Sequence, residues 1–191
     1  MEHLLQQITP LVSEYGLIII FIGMMVEGTA MILITGFLCY MGVFSLGEAW
    51  IIALLGAVAG DHVWFYLGRG YGKKVVERFS SLQAKFTQAL SLINSKADLV
   101  ALFARFIYGG AIIFPLTLGI KNYSKKRYLL LDAIGDSIWA IVGLGLGYYF
   151  GNGIEILFGK IEKIEHFLLV VIVIVGIVWL FKRKALHKMS K

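Results

Sequence analysis

Residues 99–120 read LVALFARFIYGGAIIFPLTLGI, an apolar run interrupted by Arg105, Gly109-Gly110 and Pro115. The run is long enough to cross a bilayer once, because about 20 helical residues traverse the hydrocarbon. Its flanks argue against a crossing. Six basic residues lie between Arg69 and Lys96 and four between Lys121 and Arg127. A crossing would put these clusters on opposite sides, whereas basic loops collect on the cytoplasmic side. If the chain enters and returns, both clusters are cytoplasmic. Gly109-Gly110 suits a tight reversal and Pro115 a helix break. The segment 99–119 is therefore expected to form a re-entrant hairpin, covered by protein or lining a wet cavity. A kinked transmembrane helix is the alternative.

The rest of the chain points to the same environment. Hydrophobic residues make up 59% of the 191 residues, charged residues 16%, and the mean hydropathy is +0.81. A soluble domain is about 25% charged, so the fold class is an all-α integral membrane protein. The net charge of +6 does not indicate nucleic acid, because the first 68 residues hold no Lys or Arg and the basic residues cluster beside apolar runs. Residues 1–14 also lack the basic n-region of a secretory signal, so insertion is expected to use the internal segments. Apolar stretches at 48–70 and 128–151 suit transmembrane helices, and 166–182, ending in Lys182-Arg183-Lys184, suits a C-terminal one. Between them, Val75, Phe79, Leu82, Phe86, Leu90 and Ile93 recur at helical spacing beside Lys73, Lys74, Arg78 and Lys85. The stretch 73–93 thus reads as an amphipathic surface helix, or as a helix packed on a partner protein. The single cysteine, Cys39, excludes an intramolecular disulfide and lies in an apolar run as a small hydrophobe.

Gly60-Asp61-His62-Val63-Trp64, followed by Gly68 and Gly70, matches Gly135-Asp136-Ser137-Ile138-Trp139, followed by Gly143 and Gly145, at identical spacing. Upstream, Gly42 and Gly119 hold similar places. One transmembrane domain over 1–191 is expected to contain two repeats, about 15–72 and about 98–151. Each reads as a re-entrant hairpin followed by a transmembrane helix. By the charge argument the two transmembrane helices run in opposite directions, so the repeats are inverted, an arrangement found in transporters.

Ionisable residues inside apolar stretches cost at least about 2.5–3.5 kcal/mol each on insertion scales. This chain has Glu27, Asp61, His62, Arg105, Asp132 and Asp136 in such places. Asp132 and Asp136, four apart, share a helix face. Arg105 pairing with one or two acids accounts for part of the set, but not for four acids against one Arg. The excess carboxylates point to a polar centre in which Arg105 meets an anionic group and Glu27, Asp61, Asp132 and Asp136 couple to protons. Trp64, Trp139 and Trp179 read as interfacial or packing residues. The Gly runs at 68–72 and 143–151 follow no strand and read as helix-packing surfaces, not phosphate loops. No metal-ligand spacing and no nucleophile arrangement is present in the sequence, so neither an enzyme nor a resident cofactor is expected.

Residues 27–151 resemble the DedA family, also called the SNARE-associated or VTT-domain family. Gly56-x3-Gly60-Asp61-x4-Tyr66-x-Gly68-Arg69-x2-Gly72 is similar to its Gly-Asp signature. Phe103-x-Arg105-Phe106-Ile107, then Phe114-Pro115 and Gly119, is similar to its Arg-Phe-Ile segment, and Trp139 with Gly147-Tyr148-x2-Gly151 to its closing motif. Tyr108 and Ala111 replace the family's usual Pro and second Arg, and Glu27-Gly28-Thr29 is a shortened first hairpin. The resemblance implies translocation of an anionic lipid phosphate, such as undecaprenyl or another polyprenyl phosphate, across the cytoplasmic membrane with ion or proton coupling. Arg105 would contact the phosphate and Glu27 would be the first acidic residue. A non-selective phospholipid scramblase, a membrane lipid phosphatase and an ion-binding membrane protein are the alternatives. The implied partner is a membrane lipid, with a homo-oligomer open.

Overall fold

The computed structural model describes residues 15–78, 80–107 and 109–158. The C-terminal helix expected at 166–182 lies outside them. Among the described residues the structure is helical: α1 (Tyr15–Val26), α2 (Gly28–Tyr40), α3 (Leu46–Arg78), α4 (Ser80–Phe103), a 3₁₀ turn (Ala104–Phe106), α5 (Gly110–Ile120) and α6 (Lys125–Phe158). Two helices contain segments long and apolar enough to cross a bilayer, Leu46–Gly72 and Lys125–Gly153.

The start of α3 is set by its capping box. Ser45 Oγ accepts the Glu48 N–H at 3.2 Å, while the Glu48 carboxylate accepts the Ser45 N–H at 3.3 Å. The ends of α2 and α5 are built alike. Val43 N–H bonds Leu38 O and Tyr123 N–H bonds Leu118 O, both at 3.0 Å, across left-handed Gly42 (φ 76°) and Asn122 (φ 55°). The structural counterpart of Gly42 is therefore Asn122, not the Gly119 that sequence matching pairs with it. Gly119 serves a packing contact instead.

The long helices α3 and α6 are antiparallel. Arg69 donates to Tyr123 O at 3.1 Å and Lys125 lies over the Tyr66 ring. Further along, Phe65 stacks on Tyr128 and His62 meets Asp132, and beyond the centre Ala49 and Ala53 share a core with Ala140 and Leu144. Each long helix packs against the short helix of the other half. Gly68 and Gly72 of α3 admit Leu116 and Ile120 of α5, while Gly143 and Gly147 of α6 admit Ile32, Leu33 and Gly36 of α2. A shift of 75 residues carries Gly68 onto Gly143 and Gly72 onto Gly147, so the sequence repeat is reproduced in the packing.

Residues 99–120 form a helical hairpin with both ends at one end of the molecule. Asp98, just before it, accepts hydrogen bonds from Tyr123 and Arg127, just after it. The chain reverses through Ile107, whose backbone is extended, and Gly109, at φ 76°, where a side chain would be strained. Pro115 does not break the second arm: it is buried inside α5, where it removes one backbone hydrogen bond without stopping the helix. Residues 15–40 fold back in the same way, around Glu27, whose φ of −142° lies outside the helical region, and Gly16 returns against Phe44. The stretch 73–93 is helical on both sides of residue 79 but is not a separate helix. Its first part continues α3 and its second begins α4, which runs to Phe103 past a kink at Lys96.

The Asp98 contact makes a pH prediction. Partial burial, then the hydrogen bond to Asp98, pushes the Tyr123 hydroxyl up to about 12 from its ordinary value of 10.0. Because the folded value is the raised one, the stabilisation is complete below pH 10 and is lost as pH rises through about 12. Absorbance titration at alkaline pH should show Tyr123 among the tyrosines that ionise late. Asp98→Ala should bring it back toward the others and leave stability between pH 6 and 9 without a new slope from this group.

Candidate functional site

The outside of the described fold is apolar and its centre is charged, the reverse of a soluble protein. Ile51, Leu55 and Val63 on α3, and Leu130, Ile134, Ile138 and Ile141 on α6, are exposed. Asp61, Asp132 and Asp136 are each 2% exposed.

Arg105 occupies the 3₁₀ turn at the innermost point of the second hairpin. Its Nη2 donates to Asp61 Oδ1 at 2.7 Å and to Ala57 O at 3.0 Å, both on α3. Its Nε lies 2.9 Å from Asp136 Oδ1 on α6, close enough for an ion pair but not aligned as a hydrogen bond. The guanidinium carbon sits 5.2 Å from the centre of the Trp139 ring, one turn beyond Asp136. Asp61 and Asp136, equivalent in the repeat, thus hold one cation from two different helices.

Asp132 lies one turn before Asp136 and approaches a different partner, with Oδ2 3.5 Å from His62 Nδ1. The same His62 nitrogen lies 2.9 Å from Val58 O, so in the tautomer with a proton on Nδ1 the ring donates to that carbonyl. Tyr128, a further turn back, is fully buried and stacked on Phe65 at 4.4 Å.

Glu27 takes a different place from the other predicted acids. It is the exposed residue at the break between α1 and α2. The contact from that break to the centre is made by Gly28: a methyl there would lie 2.6 Å from Arg105 Nη1 and 3.4 Å from Trp139. Sequence reasoning thus found Arg105, Asp61, Asp132 and Asp136, which the structure brings together, but missed Gly28 and Tyr128. Tyr128 had a sequence signal, since it stands four residues before Asp132 on the same helix face.

Three carboxylates around one guanidinium exceed it by two negative charges when all are ionised. One oxygen on each, Oδ2 of Asp61, Asp132 and Asp136, is buried without a hydrogen-bond partner. Excess buried charge of this kind is very costly unless protons or cations offset it. The arrangement can therefore hold an anion at Arg105, once its carboxylates yield, and exchange positive charge at the acids.

A model of the VTT domain family matches residues 26–149. The chain is 31% identical to inner membrane protein YohD of Escherichia coli, over 93% of this chain and 95% of that protein. It is 29% identical to an uncharacterized membrane protein of Synechocystis, over 80% and 75% of the two chains. It is 22% identical to protein DedA of Escherichia coli, over 95% and 91%. No solved structure matches the chain.

Proposed function

From the fact that the chain belongs to the VTT-domain (DedA) family of membrane proteins, we propose that it is a multi-pass protein of the cytoplasmic membrane that moves an anionic lipid phosphate between leaflets. The observation that carries this reading is Arg105, a buried guanidinium at the tip of a hairpin inside an apolar exterior. In that setting a lipid can keep its tail in the bilayer while its phosphate reaches a cation. A polyprenyl phosphate is the proposed substrate. Arg105 binds its phosphate in two-pronged fashion, and Trp139 restrains the guanidinium.

In this reading the hairpins 15–40 and 99–120 are re-entrant, entering from opposite faces. The packing of each long helix on the other half's short helix then lets the centre open to either side by rocking one half on the other. Charge compensation links transport to an ion. When phosphate binds Arg105, Asp61 and Asp136 lose their partner, and protons or cations must take its place. Glu27 and Asp132 join them as coupling residues. In this reading the protein acts as a transporter, and Arg105 holds the phosphate while it moves.

The test is translocation by the purified protein in proteoliposomes, with labelled undecaprenyl phosphate or labelled phospholipid, with and without a pH gradient. Gradient-dependent movement of the polyprenyl phosphate alone is expected. Equal movement of all lipids without a gradient would replace the reading with a scramblase, and release of free phosphate would replace it with a phosphatase.

A further inference from the structure

Coupling leaves open what offsets the surplus charge at the centre. Asp61 and Asp136 each give one oxygen to Arg105, and Asp132 gives none to it. The carboxylates of Asp61, Asp132 and Asp136 each offer an oxygen within 4.8 Å of the other two. Oxygens gathered this closely can converge on one small cation, such as Ca²⁺, whose oxygen ligands lie at ~2.3–2.6 Å, or a similarly sized Na⁺. All the offered atoms are oxygens, the preference of hard cations.

A second observation, independent of the acids, points the same way. The Tyr128 hydroxyl is fully buried and makes no well-aligned hydrogen bond, although it comes within reach of the Asp132 carboxylate one turn along α6. A buried hydroxyl left unmade costs about 1–3 kcal/mol. Here it adds a fourth oxygen near the acids. The groups around it are His62 on α3, whose Nδ1 lies between the Val58 carbonyl and Asp132 Oδ2, and Arg105, which contacts the Oδ1 atoms of Asp61 and Asp136.

We infer that Asp61, Asp132 and Asp136, with the hydroxyl of Tyr128, form a binding site for a hard cation at the centre of the fold. The site stands on geometry alone. Its consequence rests on the transport reading. Asp61 and Asp136 are shared between the cation and Arg105, so a bound cation draws carboxylate charge away from the guanidinium and leaves it more open to a phosphate. Cation and lipid phosphate then favour each other's binding, reciprocally.

The experiment is thermal unfolding of the full chain in detergent at fixed pH and ionic strength, with N-methyl-D-glucamine chloride replaced stepwise by sodium or calcium chloride. A saturable upward shift, on the order of 5 °C at a hundredfold excess over the dissociation constant, is expected with one of the two ions. The responding ion identifies the occupant. Asp132→Asn, which leaves both contacts to Arg105 in place, should weaken the response at least tenfold in ion concentration. Tyr128→Phe should weaken it less, and it supplies the comparison if Asp132→Asn does not fold. No saturable shift in the unsubstituted protein with either ion overturns the site, leaving the acids neutralised by protons. The same response in unsubstituted and Asp132→Asn protein also overturns it. No lipid substrate is present, so failure of lipid transport and failure of the cation site are separate results.

Discussion

Arg105→Ala is expected to reduce translocation of a lipid phosphate at least a hundredfold, to the rate of protein-free vesicles, and to destabilise the fold as well. The first effect follows from Arg105 being the cation at the centre of the described fold, paired with Asp61 and Asp136. Without it a phosphate would face three buried carboxylates. The second follows because removing one partner of a buried ion pair leaves the others uncompensated, at about 3–5 kcal/mol. Two further variants separate these effects. Arg105→Lys keeps the charge but loses the planar fork that spans Asp61 and Asp136, so about a tenfold loss of transport is expected with most of the stability retained. Adding Asp136→Asn to Arg105→Ala removes one orphaned charge, and should recover part of the thermal stability with no recovery of transport. Transport by Arg105→Ala at more than a tenth of the unsubstituted rate would place the phosphate elsewhere.

The second large effect is expected far from the charges. Gly68→Ala should lower the unfolding midpoint by roughly 2–12 °C, or prevent recovery of monodisperse protein, whereas Gly70→Ala on the same helix should change it little. A methyl at Gly68 would run into the carbonyl of Leu116, which is backbone of α5 and cannot swing aside, and at Gly70 it would meet nothing within 4 Å. Overpacking costs about 1–3 kcal/mol and sometimes more, and in a chain of this size each kcal/mol moves the midpoint by about 2–4 °C. The same contrast should hold in the other half. A methyl at Gly147 would meet the Leu33 carbonyl and lie 3.1 Å from Gly36 Cα, while Gly145 is open. Thermal unfolding of the four single variants in detergent checks the pattern. Equal behaviour of Gly68→Ala and Gly70→Ala would mean that α3 and α5 do not approach as closely as described.

These two predictions show which features could be read from the sequence. Composition, the absence of Lys and Arg from the first 68 residues, and the Gly-Asp repeat identify a helical membrane protein with two related halves. Arg105, Asp61, Asp132 and Asp136 stood out because each is a charge inside an apolar run, where its cost is visible without any neighbour. The basic clusters implied that 99–120 leaves and returns to the same end, which is the hairpin tied by Asp98, Tyr123 and Arg127. Gly68 and Gly70 looked alike, as did Gly143 and Gly145. Pro115 looked like a break, and 73–93 like a helix of its own.

The sequence by itself determined the environment, the helices and the roster of buried charges, because these depend on single residues and on short-range periodicity. Tertiary structure decided the pairings. Asp61 and Asp136 hold Arg105 while Asp132 faces His62 and Tyr128, Gly28 rather than Glu27 lies against the guanidinium, and Gly68 but not Gly70 meets a backbone. Arg105 and Asp61 are separated by 44 positions along the chain. Such a contact depends on how antiparallel helices register against each other, a property of the packed halves together that no local stretch of sequence contains.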